Sequence, residues 1–203
     1  MKTALYFGLD PSRFSYDGKI VHFPLIHIVP RPIEEIQKGF LTLPSFTHIL
    51  LTSRVAARLL LAHSSYDALH KKHFLTIGAA TAALITELPH LFVAPCPTAE
   101  GMIRLLEQFT WERSSLFYPH SALARPLIEG YLISHDIQYQ SFKLYTALPN
   151  ANALPNLDEF DELIFTSPST VEAFAQKVER LPPYHKCRAI GPITQLALQK
   201  LFC

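Results

Sequence analysis

The chain has 203 residues, 49% of them hydrophobic, and a formal net charge of +1. This near-neutral balance gives no sign of a nucleic-acid-binding or anionic-membrane surface. The most apolar region, residues 47–62, carries Arg54 and Arg58 and so does not fit a membrane span. We therefore expect a globular protein with neither nucleic acid nor membrane as a partner.

Cysteine and histidine usage bounds the compartment and the chemistry. Cys96, Cys187 and Cys203 are far apart in the sequence and odd in number, which favours free thiols in a reducing cytosol. Asp10 and Pro11 come too early for a signal peptide, so a cytoplasmic protein is expected. The ten histidines are joined by no cysteine or carboxylate set at a ligand spacing, and no metal site is predicted.

Strands and helices alternate along the whole chain. Residues 48–51 (HILL) are apolar without alternation, which favours burial on both faces of a parallel sheet, and Pro24 favours an edge or a bend within residues 19–28. The alternation predicts an α/β fold with parallel sheet. The predicted strands are residues 3–7, 19–28, 48–51, 73–77, 91–93, 115–118, 138–145, 161–165 and 188–190. The predicted helices are residues 33–40, 54–63, 79–86, 98–108, 122–134, 168–179 and 193–201.

Two strand-to-helix corners occur twice, in the same order and at nearly constant spacing. HILLTSRV contains Ser53 and ELIFTSPST contains Ser167, each directly after a strand. The later pair, HFLTIGAATAAL and CRAIGPITQLAL, shares a Gly-x-x-Thr sequence at the exit of a strand. This repetition predicts two similar lobes, each with one corner of each kind.

Such corners suit an anionic ligand. The first turn of a helix has unpaired N–H groups and a partial positive charge, and a glycine at the strand exit permits a turn that other residues resist. In parallel sheets these corners meet at the carboxyl ends of the strands, where α/β proteins bind ligands. We expect a large anion held between the two lobes. The alternative is that the Ser and Thr residues are only helix caps.

Eight short motifs follow one another along nearly the whole chain. They are FPLIHIVP (23–30), LLTSRVA (50–56), TIGAATAAL (76–84), PTAEGMIRLL (97–106), YPHSALARPLIEGYL (118–132), LYTA (144–147), IFTSPST (164–170) and AIGPITQLAL (189–198). Each motif alone is weak, but the full series in order is more specific. In this series the sequence resembles the uroporphyrinogen-III synthase family.

The resemblance implies two similar α/β lobes joined by a two-stranded connector, with parallel sheets flanked by helices. The first lobe would be discontinuous, formed by residues 1–29 with 147–203, and the second would be residues 30–146. The first lobe is expected to be shortened, since only residues 8–18 occupy the place of a helix and the sequence ends at Cys203.

The family reaction, as the resemblance implies it, is a hydro-lyase step of porphyrin and heme biosynthesis. Hydroxymethylbilane, a linear tetrapyrrole with many carboxylates, loses its hydroxyl as water and closes with inversion of ring D to uroporphyrinogen III. No cofactor is implied. The expected partners are this substrate and, for a transient hand-over, the enzyme that forms the bilane; a monomer is expected.

The resemblance also assigns site residues. Tyr145 matches a tyrosine that assists departure of the hydroxyl, because a phenol can donate a hydrogen bond to a leaving oxygen. Residues 119–121 match a loop before a helix, which would add backbone N–H groups. The residues assigned to substrate binding are Thr52, Ser53, Gly78, Ala79, Ala80, Thr81, Pro119, His120, Ser121, Ser167, Pro168, Ser169, Ile193 and Thr194.

Other interpretations stay open on the sequence. A non-catalytic tetrapyrrole or anion binder would need the corners but not Tyr145. An enzyme for phosphorylated or nucleotide substrates is disfavoured, since neither Gly-x-x-x-x-Gly-Lys nor Gly-x-Gly-x-x-Gly occurs. A purely structural module leaves the doubled corners unexplained. Arg54 and Arg125 fit either carboxylate partners or a solvated face.

Overall fold

The computed structural model describes residues 1–12 and 14–203, and within them alternating strands and helices. The strands are β1 Thr3–Tyr6, β2 Lys19–His22, β3 Ile26–Pro30, β4 His48–Leu51, β5 His73–Thr76, β6 Leu91–Val93, β7 Ser115–Ser121, β8 Gln138–Pro149, β9 Glu162–Phe165 and β10 Cys187–Ala189. The helices are α1 Ile33–Phe40, α2 Arg54–His63, α3 Tyr66–Leu69, α4 Ala79–Ala82, α5 Ala99–Leu106, α6 Leu127–Ser134, α7 Pro168–Ala175 and α8 Pro192–Phe202.

The chain divides into two compact units. The first consists of Met1–Ile28 with Ala147–Cys203, and the second of Val29–Thr146. The chain leaves the first unit within β3 and returns to it within β8. No helix among the described residues is long and apolar enough to cross a bilayer.

The first unit is built on a parallel sheet with the strand order β10-β9-β1-β2. Its core is aromatic: Phe7, Phe165 and Phe174 are buried, with the ring centroids of Phe7 and Phe165 4.9 Å apart. Helices α7 and α8 contribute Phe174 and Leu198 to this core. The sheet is therefore anchored to its helices beside the strand ends that carry the two corners of this unit.

The second unit contains the strand order β3-β8-β7-β4-β5-β6, in which each neighbouring pair from β8 to β6 is parallel. All four residues of β4 are buried, as its unbroken apolar sequence predicts. Because the strands from β8 to β6 are parallel, their carboxyl ends lie along one edge of the sheet. The predicted α/β class with parallel sheets flanked by helices is confirmed.

Several predicted boundaries are wrong. Residues 19–28 form two strands rather than one, since proline lacks the N–H that a ladder needs and Pro24 interrupts the run. The helix predicted over residues 79–86 ends at Ala82, and the one predicted from Ala122 begins at Leu127, directly after Pro126. The strand predicted to end at Tyr118 continues to Ser121.

Candidate functional site

The carboxyl edge of the second unit's sheet brings a tyrosine and a serine into contact. The Tyr145 hydroxyl lies 2.8 Å from Ser53 Oγ, although the two residues are far apart in the sequence. Ser53 is the N-cap of α2, and its Oγ accepts a hydrogen bond from the backbone N–H of Ala56 at 3.0 Å. The first Thr-Ser corner is thus both a helix cap and the partner of the predicted catalytic phenol.

A register shift places Tyr145 at this corner. Along β7 and β8, His120 pairs with Lys143, but the next residue, Ser121, pairs with Tyr145 rather than with Leu144. Successive residues of a strand face opposite sides of the sheet, and a bulge of this kind re-aims a side chain. Leu144 is fully buried in the core, and the side chain of the next residue, Tyr145, points towards Ser53 and Ser121.

The Tyr145 phenol is held in its protonated form. The side chain is 7% exposed, and this burial raises the pKa of its phenol. Hydrogen bonds with the hydroxyls of Ser53 and Ser121 act in the opposite direction without cancelling the effect of burial on the pKa. At neutral pH the phenol therefore keeps a proton that it can donate.

A second tyrosine, Tyr118, stands next to this contact. Its side chain is 2% exposed, and burial raises the pKa of its phenol to about 12, although a hydrogen bond with Thr52 works to lower it. Thr52 precedes Ser53 at the end of β4. The Thr-Ser corner thus contacts two buried phenols, and sequence reasoning missed Tyr118 because an aromatic residue in an apolar strand looks like ordinary core.

His120 packs on Tyr118 and is fixed as a neutral ring. The ring centroids are 4.4 Å apart, and burial lowers the pKa of His120. Its Nδ1 lies 2.7 Å from the Ser121 carbonyl oxygen, which can only accept, so Nδ1 carries the hydrogen. Its Nε2, 2.7 Å from Ser141 Oγ, therefore accepts from the Ser141 hydroxyl. Ser141 is a second neighbour of the site that the sequence did not single out.

The prediction of a loop at residues 119–121 is wrong. Pro119, His120 and Ser121 are the last residues of β7, paired with β8, and the next helix starts only at Leu127. Their backbone therefore belongs largely to the sheet, and Pro119 has no N–H to offer. What this segment contributes is side chains, above all that of Ser121, the cross-strand partner of Tyr145.

The Gly-x-x-Thr corner of the second unit exposes backbone rather than a hydroxyl. Gly78 precedes α4, where Ala79 and Ala80 are exposed and Thr81 is 3% exposed. By helix geometry the N–H groups of Ala79 and Ala80 have no acceptor within the helix. Gly78 has an extended backbone that any residue can adopt, so the turn that was expected to require glycine is absent there. A side chain at this position would instead be limited by space, because its Cβ would lie 3.1 Å from Pro97 Cβ.

The first unit carries the matching corners. Ser167 caps α7 in a capping box with Thr170, and its Oγ lies 2.9 Å from Ser169 Oγ. Pro168 is the first residue of α7 and leaves the N–H of Ser169 as the free donor of that turn. Ser53 and Ser167 thus both cap their helices through the side chain, and Ser53 has in addition the contact with Tyr145.

The last corner has the backbone that its glycine predicts. Gly191 has a φ of 92°, in the region that favours glycine, and it precedes Pro192 at the start of α8. Ile193 is half-buried and Thr194 is 3% exposed, so as at Thr81 the accessible donors are backbone N–H groups. Within residues 1–12 and 14–203 no group of three or more His, Cys, Asp or Glu is placed to hold a metal ion.

A protein-family model matches nearly the whole chain. The family model described as uroporphyrinogen-III synthase HemD matches residues 15–202. The chain belongs to the uroporphyrinogen-III synthase family. This membership gives it uroporphyrinogen III synthesis, a lyase step of tetrapyrrole and heme biosynthesis, as its activity. Comparison with curated protein sequences gives no match.

Solved structures of uroporphyrinogen III synthases share the fold. A mutant of the Thermus thermophilus enzyme matches with a TM-score of 0.67 at 20% identity, over 100% of this chain and 90% of that one. The Helicobacter pylori enzyme matches with a TM-score of 0.65 at 21% identity, with the same coverage. A wild-type Thermus thermophilus crystal form matches with a TM-score of 0.55 at 21% identity, over 100% of this chain and 89% of that one. At this identity the likeness shows the fold, and the family match carries the activity.

Proposed function

We propose that Tyr145 is the catalytic residue of uroporphyrinogen III formation in this chain. Its phenol donates a hydrogen bond to the hydroxyl that leaves hydroxymethylbilane as water. The observation that carries this role is the buried, protonated phenol held 2.8 Å from Ser53 Oγ at the carboxyl edge of a parallel sheet. General acids work when they stay protonated at the operating pH and lie within hydrogen-bond reach of the leaving group.

The strand-to-helix corners bind the carboxylates of the substrate in this proposal. The donors are the backbone N–H groups of Ala79 and Ala80 in the second unit and of Ser169, Ile193 and Thr194 in the first. Backbone donors need no counter-charge and are already oriented by the helix start. Burial of the Thr81 and Thr194 side chains favours this role for the backbone over one for the threonine hydroxyls.

The wider architecture and setting belong to the same proposal. The two units would be the two lobes of the family, with the first lobe discontinuous and with β3 and β8 as the connector; the chain's passage between the units within these strands supports this. We expect a monomeric, cytoplasmic protein without a cofactor, which receives its substrate from the enzyme that forms the bilane.

The test is the isomer ratio of the cyclised product. The purified chain is mixed with freshly generated hydroxymethylbilane, and the type I and type III uroporphyrins are separated after oxidation. We expect a type III excess over the enzyme-free control, since closure without the enzyme proceeds without inversion of ring D. If folded protein yields type I alone, the chain is a non-catalytic tetrapyrrole binder and the proposed catalytic role is wrong.

A further inference from the structure

The hydrogen bonds around Tyr145 are more specific than capping requires. Ser53 Oγ accepts from the Ala56 N–H at 3.0 Å, and Ser121 Oγ accepts from the Leu123 N–H at 3.1 Å. A serine hydroxyl has two acceptor sites and one hydrogen. In both serines a backbone N–H therefore fixes the oxygen, while the hydroxyl hydrogen remains free to rotate towards another acceptor.

The Tyr145 phenolic oxygen is placed to be that acceptor for both serines. The Tyr145 hydroxyl is 2.8 Å from Ser53 Oγ, an ordinary length for an O–H···O bond. Ser121 is the cross-strand partner of Tyr145, and its side chain is near enough to work to lower the pKa of the phenol. The register shift between His120 and Ser121 brings Tyr145 opposite Ser121. The bulge between β7 and β8 and the helix cap Ser53 after β4 thus place two serines beside the phenol of Tyr145.

Capping alone does not produce such a contact. Ser167 occupies the same place in the first unit, caps α7 through the Thr170 N–H, and has its Oγ 2.9 Å from Ser169 Oγ rather than from a phenol. The comparison separates two properties of the same motif. The cap is common to both units, whereas the phenol partner belongs to Ser53.

We propose that Ser53 and Ser121 are positioning residues for Tyr145. When substrate is bound, the phenolic oxygen of Tyr145 accepts a hydrogen bond from the hydroxyl of each serine. The hydrogen of the phenol is then directed to the departing hydroxyl of the substrate. The inference rests on the proposed catalytic role of Tyr145. As the phenol gives up its hydrogen, negative charge grows on its oxygen, and two donors already aimed at that oxygen stabilise it. Departure of the hydroxyl as water takes one proton from the phenol, and closure of the macrocycle releases one proton from the substrate, which restores the phenol for the next turnover.

The first test compares three variants at residue 53 in the full-length chain. Ser53→Ala removes cap and donor, Ser53→Gly retains most of the capping preference without a hydroxyl, and Ser53→Thr retains both. We expect kcat to fall about tenfold in the Ala and Gly variants with KM nearly unchanged, because the effect of one hydrogen bond is lost mainly in the transition state. Ser53→Thr should restore kcat.

Thr98→Ala is the matched control for capping. Thr98 caps α5 in the same unit through the Gly101 N–H at 3.1 Å and lies outside the site. It should lower the melting temperature as Ser53→Ala does but leave kcat unchanged. If kcat in Ser53→Ala and Ser53→Gly equals that of the unchanged chain, the positioning role is overturned.

A spectroscopic readout separates this inference from the proposed function. With fluorotyrosine in place of tyrosine, the fluorine resonance of residue 145 is identified by its loss in Tyr145→Phe and is titrated in each variant. Removing a donor to the phenolate should raise the pKa of residue 145 in Ser53→Ala and in Ser121→Ala. An unchanged pKa together with an inactive Tyr145→Phe overturns only the serine role. A fully active Tyr145→Phe overturns the proposed function itself, and the catalytic role of the serines with it.

Discussion

Tyr145 differs from a solvent-exposed tyrosine in two respects that favour acid catalysis. Burial raises the pKa of its phenol, so the protonated fraction at neutral pH is essentially complete. Its oxygen is also held by hydroxyl partners, so the direction of its own hydrogen is restricted. A substrate rich in carboxylates, bound as proposed, would add negative charge nearby and favour the neutral phenol further.

Tyr145→Phe should therefore lower kcat by about a hundredfold and change KM little, since the ring is kept and only the donor is lost. Steady-state assays with hydroxymethylbilane, with the product isomers separated, provide the measurement. Tyr139→Phe is the control, because Tyr139 is a half-buried residue of β8 outside the site. Equal kcat for Tyr145→Phe and the unchanged chain would remove the catalytic role.

His48 makes the stability of the second unit depend on pH. It starts β4 with 5% exposure, in ring contact with His73, Phe109 and Trp111, and its Nε2 has no hydrogen-bond partner in the described part of the chain. Burial, with His73 adding to it, lowers the pKa of His48 from 6.5 to about 4. The unfolded chain thus takes up a proton at a higher pH than the folded chain does.

The free energy of unfolding should consequently fall as pH drops from 6.5 to about 4, by at most about 3 kcal/mol from this residue. His48→Phe keeps an aromatic ring without a titrating group, so it should flatten this pH dependence. Urea unfolding at several pH values is the measurement, and substitution of the exposed His185 by Gln is the control. An equally steep decline in His48→Phe would assign the effect to other groups, such as His73, whose pKa is also lowered by burial.

At the scale of elements, the two Gly-x-x-Thr corners differ at the first helical residue. Helix α8 begins with Pro192, which has no N–H, whereas α4 begins with the exposed Ala79. The corner before α4 therefore has one backbone donor that its counterpart lacks. With only four residues, α4 has a small dipole, so individual N–H groups rather than a long helix would hold a carboxylate.

Ala79→Pro tests this donor without disturbing the helix start, because proline is favoured at a first helical position and Gly78 already has the extended backbone that precedes proline. We expect KM to rise about tenfold at unchanged melting temperature, the effect of one hydrogen bond to a charged group. Ala79→Ser, which keeps the N–H, is the control. If KM stays unchanged in Ala79→Pro, this corner does not bind substrate.

The elements also show what the sequence can predict. The bounds of α2 and β4 agree with those predicted from composition and from the apolar run, and Ser53 and Ser167 occur as the helix caps that the alternative interpretation of the corners requires. The end of β7 cannot be predicted in this way. Pro119 and Ser121 are typical loop residues, but they remain in the sheet because they pair with β8. The contact between Ser53 and Tyr145 depends on a register shift, which is a property of two strands together and leaves no signal in either one.

At the scale of the whole molecule, a nearly neutral chain acts on a polyanionic substrate. The net charge is +1, and Arg125, one of the two arginines considered above as carboxylate partners, pairs with Glu100 at 3.4 Å. Recognition by backbone N–H groups depends on short-range hydrogen bonds, which salt screens less than it screens distant charges.

Raising the ionic strength from about 0.05 to about 0.5 M should therefore increase KM by about threefold or less. The measurement is steady-state kinetics at constant pH, with the type III fraction recorded at each salt concentration. A much steeper rise in KM that disappears in Arg54→Gln would show instead that the guanidinium at the start of α2, and not the helix backbone, attracts the substrate.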